Sequence, residues 1–138
     1  MTIEVVVDSS VSVSLVTLEN YSDWASKSLQ EYEYFHVLDL SFYEVANAIK
    51  HKVSGEFDAK DAAAAFEQAE KMMNLYAVHS FSEVIVDALN KALEFNITIY
   101  DAAFLALAYK LDLQLLTLDT KLFKKLECTR YKGLIRCP

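Results

Sequence analysis

The chain has little glycine or proline and no long apolar run, which are the features that mark disordered, collagen-like and membrane-spanning proteins. Its 138 residues include two glycines and one proline, which argues against disorder and excludes collagen-like repeats. Its apolar runs fall well short of the ~18 residues that a membrane-spanning helix needs. The N-terminus has no basic run before its apolar residues, so we expect no secretory signal. The sequence therefore predicts a cytoplasmic protein with one domain over residues 1–138.

The chain also has only two cysteines, and its net charge is negative. Cys128 and Cys137 are not followed closely by histidine, so a zinc site is disfavoured. Two free thiols are expected in a reducing compartment, and a disulfide stays open as the alternative. The net charge of −7 disfavours a protein that coats nucleic acid through a broad basic face. It leaves room for a nucleic-acid enzyme whose excess acids hold cations.

Apolar residues are abundant, at 54 % of the chain, and they follow two alternating patterns. Short apolar runs predict strands at 3–7, 35–40, 75–79, 113–118 and 134–136. Apolar residues at helical spacing predict helices at 41–53, 59–74, 81–95, 99–111 and 119–126. Strands that alternate with helices predict an α/β domain with a mostly parallel sheet, and the valine run of the first strand fits its centre.

Four carboxylates fall at corresponding places in this pattern. Asp8 ends the first predicted strand and Asp119 the fourth, while Glu44 and Asp101 lie in the first turns of two helices. The carboxyl ends of parallel strands share one sheet edge, where open α/β sheets place their sites. We therefore expect the four acids to converge there. An all-oxygen acidic site suits Mg²⁺ or Mn²⁺.

Each acid also has a structural interpretation. Ser41 and Glu44 have the spacing of a capping box, and Thr98 and Asp101 form a looser version of it. Asp8 and Asp119 are candidate helix N-caps. Glu44 is expected nearly opposite the apolar stripe of its helix, and Asp101 on the face turned to the sheet; the stripe consists of Phe42, Ala46, Ile49 and Val53.

Taken together, the four acids favour a cation. Two carboxylates ~4–6 Å apart repel by roughly 3–4 kcal/mol at an effective dielectric near 20. Helix N-termini offset only about 0.3–1 kcal/mol each, so a divalent cation is the better explanation of the set.

Three stretches make the chain resemble the PIN-domain ribonucleases, and most closely the small toxins of the VapC type. They are "VVVDSSV" at 5–11, "LSFYEVANAI" at 40–49 and "IYDAAFLALAYKLDLQLLTLD" at 99–119, the last followed by the matching "KLF" at 121–123. The resemblance implies a three-layer α/β/α sandwich with strand order 3-2-1-4-5. It also implies a Mg²⁺- or Mn²⁺-dependent endoribonuclease, a VapB-like antitoxin partner and a homodimer.

The same resemblance assigns roles to individual residues. The acids that it implies to be catalytic and metal-binding are Asp8, Glu44, Asp101 and Asp119. Glu44 would bind the metal through water or orient the nucleophile, and the others would bind it directly. Thr117 and Asn47 match polar positions of the family. The chain departs at Asp112 and Leu113, where the family often has a glycine before the fourth strand.

Several neighbouring residues keep two interpretations. Lys50, Lys52 and Lys121 would contact RNA phosphates or lie in solvent. Ser9 and Ser10 would assist a water or phosphate, or cap the next helix. The aromatic segment 20–35 is expected to pack on the sheet; the alternative is a groove for the antitoxin. Met72 and Met73, in the helix at 59–74, are expected in the core or in a dimer seam.

Three other functions compete with the ribonuclease. A haloacid-dehalogenase-like phosphatase needs a second acid two residues after Asp8, where Ser10 lies. A response-regulator receiver needs its acceptor aspartate at the end of the third strand, where His79 and Ser80 lie. A non-catalytic PIN-like binding module is the third, and the intact acidic set argues against it.

Overall fold

A parallel sheet forms the centre of the protein. The computed structural model describes residues 3–138. Its strands are β1 Glu4–Val7, β2 Tyr34–Leu38, β3 Ala77–His79, β4 Leu115–Leu116 and β5 Ile135–Arg136. They pair in the order β3-β2-β1-β4-β5, and all pairs are parallel. This confirms the predicted fold class and strand order.

Helices cover both faces of the sheet. They are α1 Ser9–Val16, α2 Ser22–Leu29, α3 Leu40–His51, α4 Ala59–Asn74, α5 Ile85–Phe95, α6 Ile99–Leu111 and α7 Thr120–Leu126. Short 3₁₀ turns lie at Phe81–Glu83 and Lys132–Leu134. Within residues 3–138, no helix combines the length and apolarity that crossing a bilayer requires.

The predicted helix boundaries were right where local signals were strong. The predictions at 59–74 and 99–111 match α4 and α6, which have side-chain caps from Asp58 and Thr98. The prediction at 81–95 was partly wrong, because the 3₁₀ turn precedes the α-helix. Helix α1 was not predicted, since its alternating serine and valine have modest helix propensity.

The fourth strand is shorter than the predicted 113–118. Asp112 adopts a left-handed conformation with φ 55° at the end of α6, so the chain is still turning just before β4. The strand has only two residues, although the Thr117 amide beyond it still donates to the Arg136 carbonyl. This short strand brings Asp119 close to the sheet edge.

The central strand divides the apolar core. Val6 packs with α6 residues on one face, while Val5 and Val7 pack on the other with α1 and α2. All three valines are fully buried. Because β1 is the middle strand, the residue that follows it emerges at the centre of the sheet edge.

The remaining predictions about packing also have outcomes. Trp24 and Tyr32 pack against the core, under the Arg136 guanidinium, so the packing interpretation holds for them. Met73 is fully buried in the core. Cys128 and Cys137 are free thiols, as expected.

Candidate functional site

Asp8 and Asp119 lie at the adjacent ends of β1 and β4. The Asp8 amide donates to the Leu116 carbonyl at 3.0 Å, which ties the two strand ends together. Asp8 caps α1, and Asp119 caps α7 by accepting from the Leu122 amide at 3.0 Å. The capping interpretation is therefore correct for both residues. Capping is compatible with the convergence of the two acids, because both capping positions lie at the same edge of the sheet.

Hydroxyl groups fix one oxygen of Asp8. Its Oδ2 accepts from Ser10 Oγ at 2.6 Å and from Thr117 Oγ1 at 2.9 Å. Ser10 Oγ in turn accepts from the Leu118 amide at 3.0 Å. Within residues 3–138, no hydrogen bond reaches Asp8 Oδ1. The carboxylate is thus held in one orientation with an oxygen left for a ligand.

Glu44 faces Asp8, contrary to the predicted helix face. The buried face of α3 consists of Ser41, Val45 and Ile49, so the predicted apolar stripe was wrong in part. Glu44 is half-buried, and its Oε1 accepts from Ser9 Oγ at 2.8 Å.

The capping box predicted for Glu44 was also wrong. Asp39 caps α3 by accepting from the Leu40 amide, and Ser41 Oγ accepts from the Leu38 amide. The carboxylate of Glu44 is therefore not used at its own helix terminus. The cap interpretation of Ser9 and Ser10 was wrong as well, since Asp8 caps α1.

Asp101 enters from the first turn of α6. Thr98 caps that helix, because its hydroxyl oxygen accepts from the Asp101 backbone amide at 3.0 Å. The predicted pairing of Thr98 with Asp101 therefore exists, but it uses the backbone of Asp101 and not its carboxylate. The side chain of Asp101 lines a cavity of about 310 Å³. Other polar residues of this cavity are Asp8, Ser9, Ser10, Glu19 and Glu44.

Asp119 lines the neighbouring cavity instead. That cavity measures about 600 Å³ and shares Ser10 and Glu19 with the first. Three of the predicted acids therefore meet in one cavity, and the fourth lies beside it.

Burial and, second to it, repulsion between the acids raise the pKa values of three of the carboxyl groups. Burial raises the pKa of Glu44 to about 7, with added repulsion from Asp8 and Asp101, although the Ser9 bond opposes the rise. Burial likewise raises the pKa of Asp101 to about 6, and repulsion from Asp8 and Asp119 adds to it. Burial also raises the pKa of Asp8, against the hydroxyl bonds from Ser10 and Thr117. Lys125 lowers the pKa of Asp101, but burial and the neighbouring acids outweigh it.

The donors fit a hard divalent cation in their chemistry. They are carboxylate and hydroxyl oxygens, which Mg²⁺ and Mn²⁺ prefer, and their raised pKa values identify charge that a cation would neutralise. Among residues 3–138, no three or more His, Cys, Asp or Glu side chains are placed so that they could together hold a metal ion. The acids therefore share a cavity without forming a finished ligand shell.

Sequence reasoning missed Glu19. It lines both cavities and pairs with Lys52 at 2.8 Å. Glu19 lies in the loop after α1, a helix that was not predicted, so no sequence pattern indicated that its side chain would reach the site. Lys52 is thus held by an acid at the cleft, while Lys50 and Lys121 are exposed.

Comparisons with known proteins agree with this architecture. The PIN domain family model matches residues 5–127. Ribonuclease VapC3 of Pyrobaculum aerophilum is 38 % identical over 123 residues, which cover 88 % of this chain and 94 % of the relative. The match gives no support to the phosphatase or receiver alternatives.

Solved structures show the same fold. The P. aerophilum protein PAE2754 superposes with a TM-score of 0.65 at 27 % identity, over 91 % of this chain and 86 % of the other. A toxin–antitoxin complex from Klebsiella pneumoniae gives a TM-score of 0.68 at 17 % identity, over 88 % and 92 %. At that identity the second likeness shows the fold alone. With a family model that spans most of its length and a relative at 38 % identity, this chain belongs to the PIN-domain family.

Proposed function

We propose that the protein is a Mg²⁺- or Mn²⁺-dependent endoribonuclease and the toxin of a toxin–antitoxin pair. The observation that carries the proposal is the cavity in which Asp8, Glu44 and Asp101 meet, where burial first, and repulsion from Asp8 second, raises the pKa of Glu44 and of Asp101. The 38 % identity to a protein named as a ribonuclease supports RNA as the substrate. We further propose that residues 1–138 form one PIN domain.

In this proposal Asp8, Asp101 and Asp119 would hold the cation. When bound, the cation would polarise a phosphodiester oxygen and lower the pKa of a water molecule. Ser10 and Thr117 would keep Asp8 in place, because both hydroxyls donate to its Oδ2. The free Oδ1 of Asp8 would then be the binding atom.

Glu44 would orient the attacking water and accept its proton. Ser9 donates to Glu44 Oε1, and Oε2 accepts no hydrogen bond among residues 3–138. A pKa near 7 suits a group that exchanges protons near neutral pH.

The function is tested by incubating the purified protein with single-stranded RNA and Mg²⁺ or Mn²⁺. We expect cleavage that EDTA abolishes, and a loss of orders of magnitude in Asp8→Asn, Glu44→Gln, Asp101→Asn and Asp119→Asn. Glu70→Gln is the matched control, since Glu70 is an exposed acid on α4. RNA binding without turnover would instead establish a non-catalytic PIN-like module.

We also propose an antitoxin partner. The support is that fold neighbours include a toxin–antitoxin complex from K. pneumoniae and VapBC2 from Rickettsia felis. Co-expression with the product of the adjacent reading frame should yield a complex in which RNA cleavage is suppressed. Cleavage at the free protein's rate in the presence of that product would contradict it.

A homodimer is the remaining proposal about partners. Helix α5 presents a row of exposed apolar side chains, namely Ile85, Val86, Leu89 and Leu93. Such a row on a helix otherwise packed against α6 fits a contact with a second copy. Met73 is buried in the core, so it lies outside this proposed dimer contact.

A further inference from the structure

Two acids of the cavity are each preceded by an exposed tyrosine. Tyr43, before Glu44, is 81 % exposed, and Tyr100, before Asp101, is 55 % exposed. The two tyrosines belong to different helices, α3 and α6. They line one cavity of about 460 Å³, which they share with Leu40, Glu44 and Asn47. The tyrosine cavity therefore borders the acidic cavity through Glu44.

The tyrosine cavity has the size and groups of a ligand site. Its volume falls in the range of about 300–1,000 Å³ that small-molecule sites occupy. Asn47 lies one turn after Tyr43, so the amide and the ring share one face of α3. Within residues 3–138, the side chains of Tyr43, Asn47 and Tyr100 make no hydrogen bond, which leaves two hydroxyls and an amide free to pair with a ligand.

The charge around the cleft favours a stacking contact with RNA. The chain carries a net charge of −7, and Lys52, at the next cavity, is paired with Glu19 at 2.8 Å. Lys52 is therefore not free to contact a phosphate. Stacking of an unpaired base on an aromatic ring is an attraction that needs no positive charge.

We propose that Tyr43, Asn47 and Tyr100 form a base-binding subsite for the nucleotide beside the scissile phosphate. The tyrosine rings stack on the base, and the Asn47 amide pairs with its edge. This subsite rests on the proposed ribonuclease function and adds to it the requirement for an unpaired base at that position. It assigns base preference to Asn47, because an amide offers both a donor and an acceptor.

A rival occupant is a second copy of this chain. Tyr100 also borders a smaller apolar cavity with Phe81 and Ile85, next to the exposed row on α5. The tyrosines would then serve the dimer rather than the substrate, and the oligomeric state would change when they are removed.

The test uses short single-stranded RNA that carries 2-aminopurine at successive positions, with Asp101→Asn protein to hold it uncut. We expect quenching of the fluorophore at one position, because stacking quenches it. Tyr43→Phe should keep the quenching and Tyr43→Ala should lose it. In the otherwise unaltered enzyme, Tyr43→Ala and Tyr100→Ala should each lower kcat/KM about 5- to 100-fold.

Tyr34→Ala is the matched control. Tyr34 is 58 % exposed but starts β2, at the opposite edge of the sheet. It should leave quenching and cleavage unchanged. Light scattering on all variants should give the mass of the unaltered protein.

Three outcomes would overturn the subsite. If the unaltered protein cuts RNA while Tyr43→Ala and Tyr100→Ala cut at the same rate with the same quenching, the subsite fails and the ribonuclease stands. The same holds if these variants change only the mass, which would assign the tyrosines to the dimer. If the unaltered protein neither binds nor cuts RNA, the proposed function fails, and the subsite fails with it.

Discussion

Replacing Asp101 with asparagine distinguishes two roles for this residue: support of a helix terminus, or membership of a cluster of acids that repel one another. The change keeps the size of the side chain and removes its charge. If Asp101 only supports the start of α6, losing its interaction with the helix dipole costs about 0.3–1 kcal/mol. RNA cleavage would then continue.

The acidic cluster predicts the opposite. The pKa of Asp101 lies at about 6 instead of 3.8, and each pH unit of that difference corresponds to about 1.4 kcal/mol. Ionising Asp101 therefore costs the folded state at most ~3 kcal/mol at pH 8. Solvent screening of this half-buried group reduces the cost, and the lost dipole interaction subtracts from the gain. We expect metal-free Asp101→Asn to be roughly 1–2 kcal/mol more stable than the unaltered protein at pH 8.

The assay is thermal unfolding in EDTA at pH 8 and pH 4, together with RNA cleavage in Mn²⁺. A gain of 1–2 kcal/mol corresponds to about 3–8 °C for a chain of this size. The gain should disappear at pH 4, where Asp101 is protonated in the folded protein. Cleavage should fall by orders of magnitude. A variant that is destabilised at pH 8 and cuts RNA at the unaltered rate would show that Asp101 is only a helix-terminal residue.

Four further changes test the site and the assembly. In EDTA, the free energy of unfolding of the unaltered protein should fall as pH rises from about 4 to about 7. The pKa values of Glu44 and Asp101 are raised, so the folded state binds protons more tightly than the unfolded state over this range. Urea titrations that show a rise across this window would contradict the prediction. Millimolar Mg²⁺ or Mn²⁺ should raise the melting temperature at pH 8, and calorimetry without any thermal shift would count strongly against the metal site. Ser9→Ala removes a bond that lowers the pKa of Glu44, so the acidic limb of the pH–rate profile should move to higher pH, while an unmoved limb would rule out Glu44 as the proton acceptor. Leu89→Asp should convert the proposed dimer to a monomer in light scattering at tens of micromolar, and a monomeric unaltered protein would end the dimer proposal.

The local sequence determined the elements that have strong signals within a few residues. Helices α4 and α6 were predicted to the residue, because their apolar periodicity agrees with caps from Asp58 and Thr98. The valine run of β1 similarly predicted the central strand. The strand order 3-2-1-4-5 came instead from family resemblance. Since Asp8 directly follows β1, the placement of the first acid needed little beyond the strand itself.

Tertiary structure decided the features that depend on distant contacts. Ser9 and Glu44 are 35 residues apart, and their hydrogen bond forms only because α1 packs against α3. The helix face of Glu44 was predicted wrongly because apolar spacing alone did not show which stripe of α3 faces the core. The pairing of Glu19 with Lys52 has no local signal either. Local propensity acts over about one helical turn, whereas a site assembled from separate helices requires the packing that brings them together.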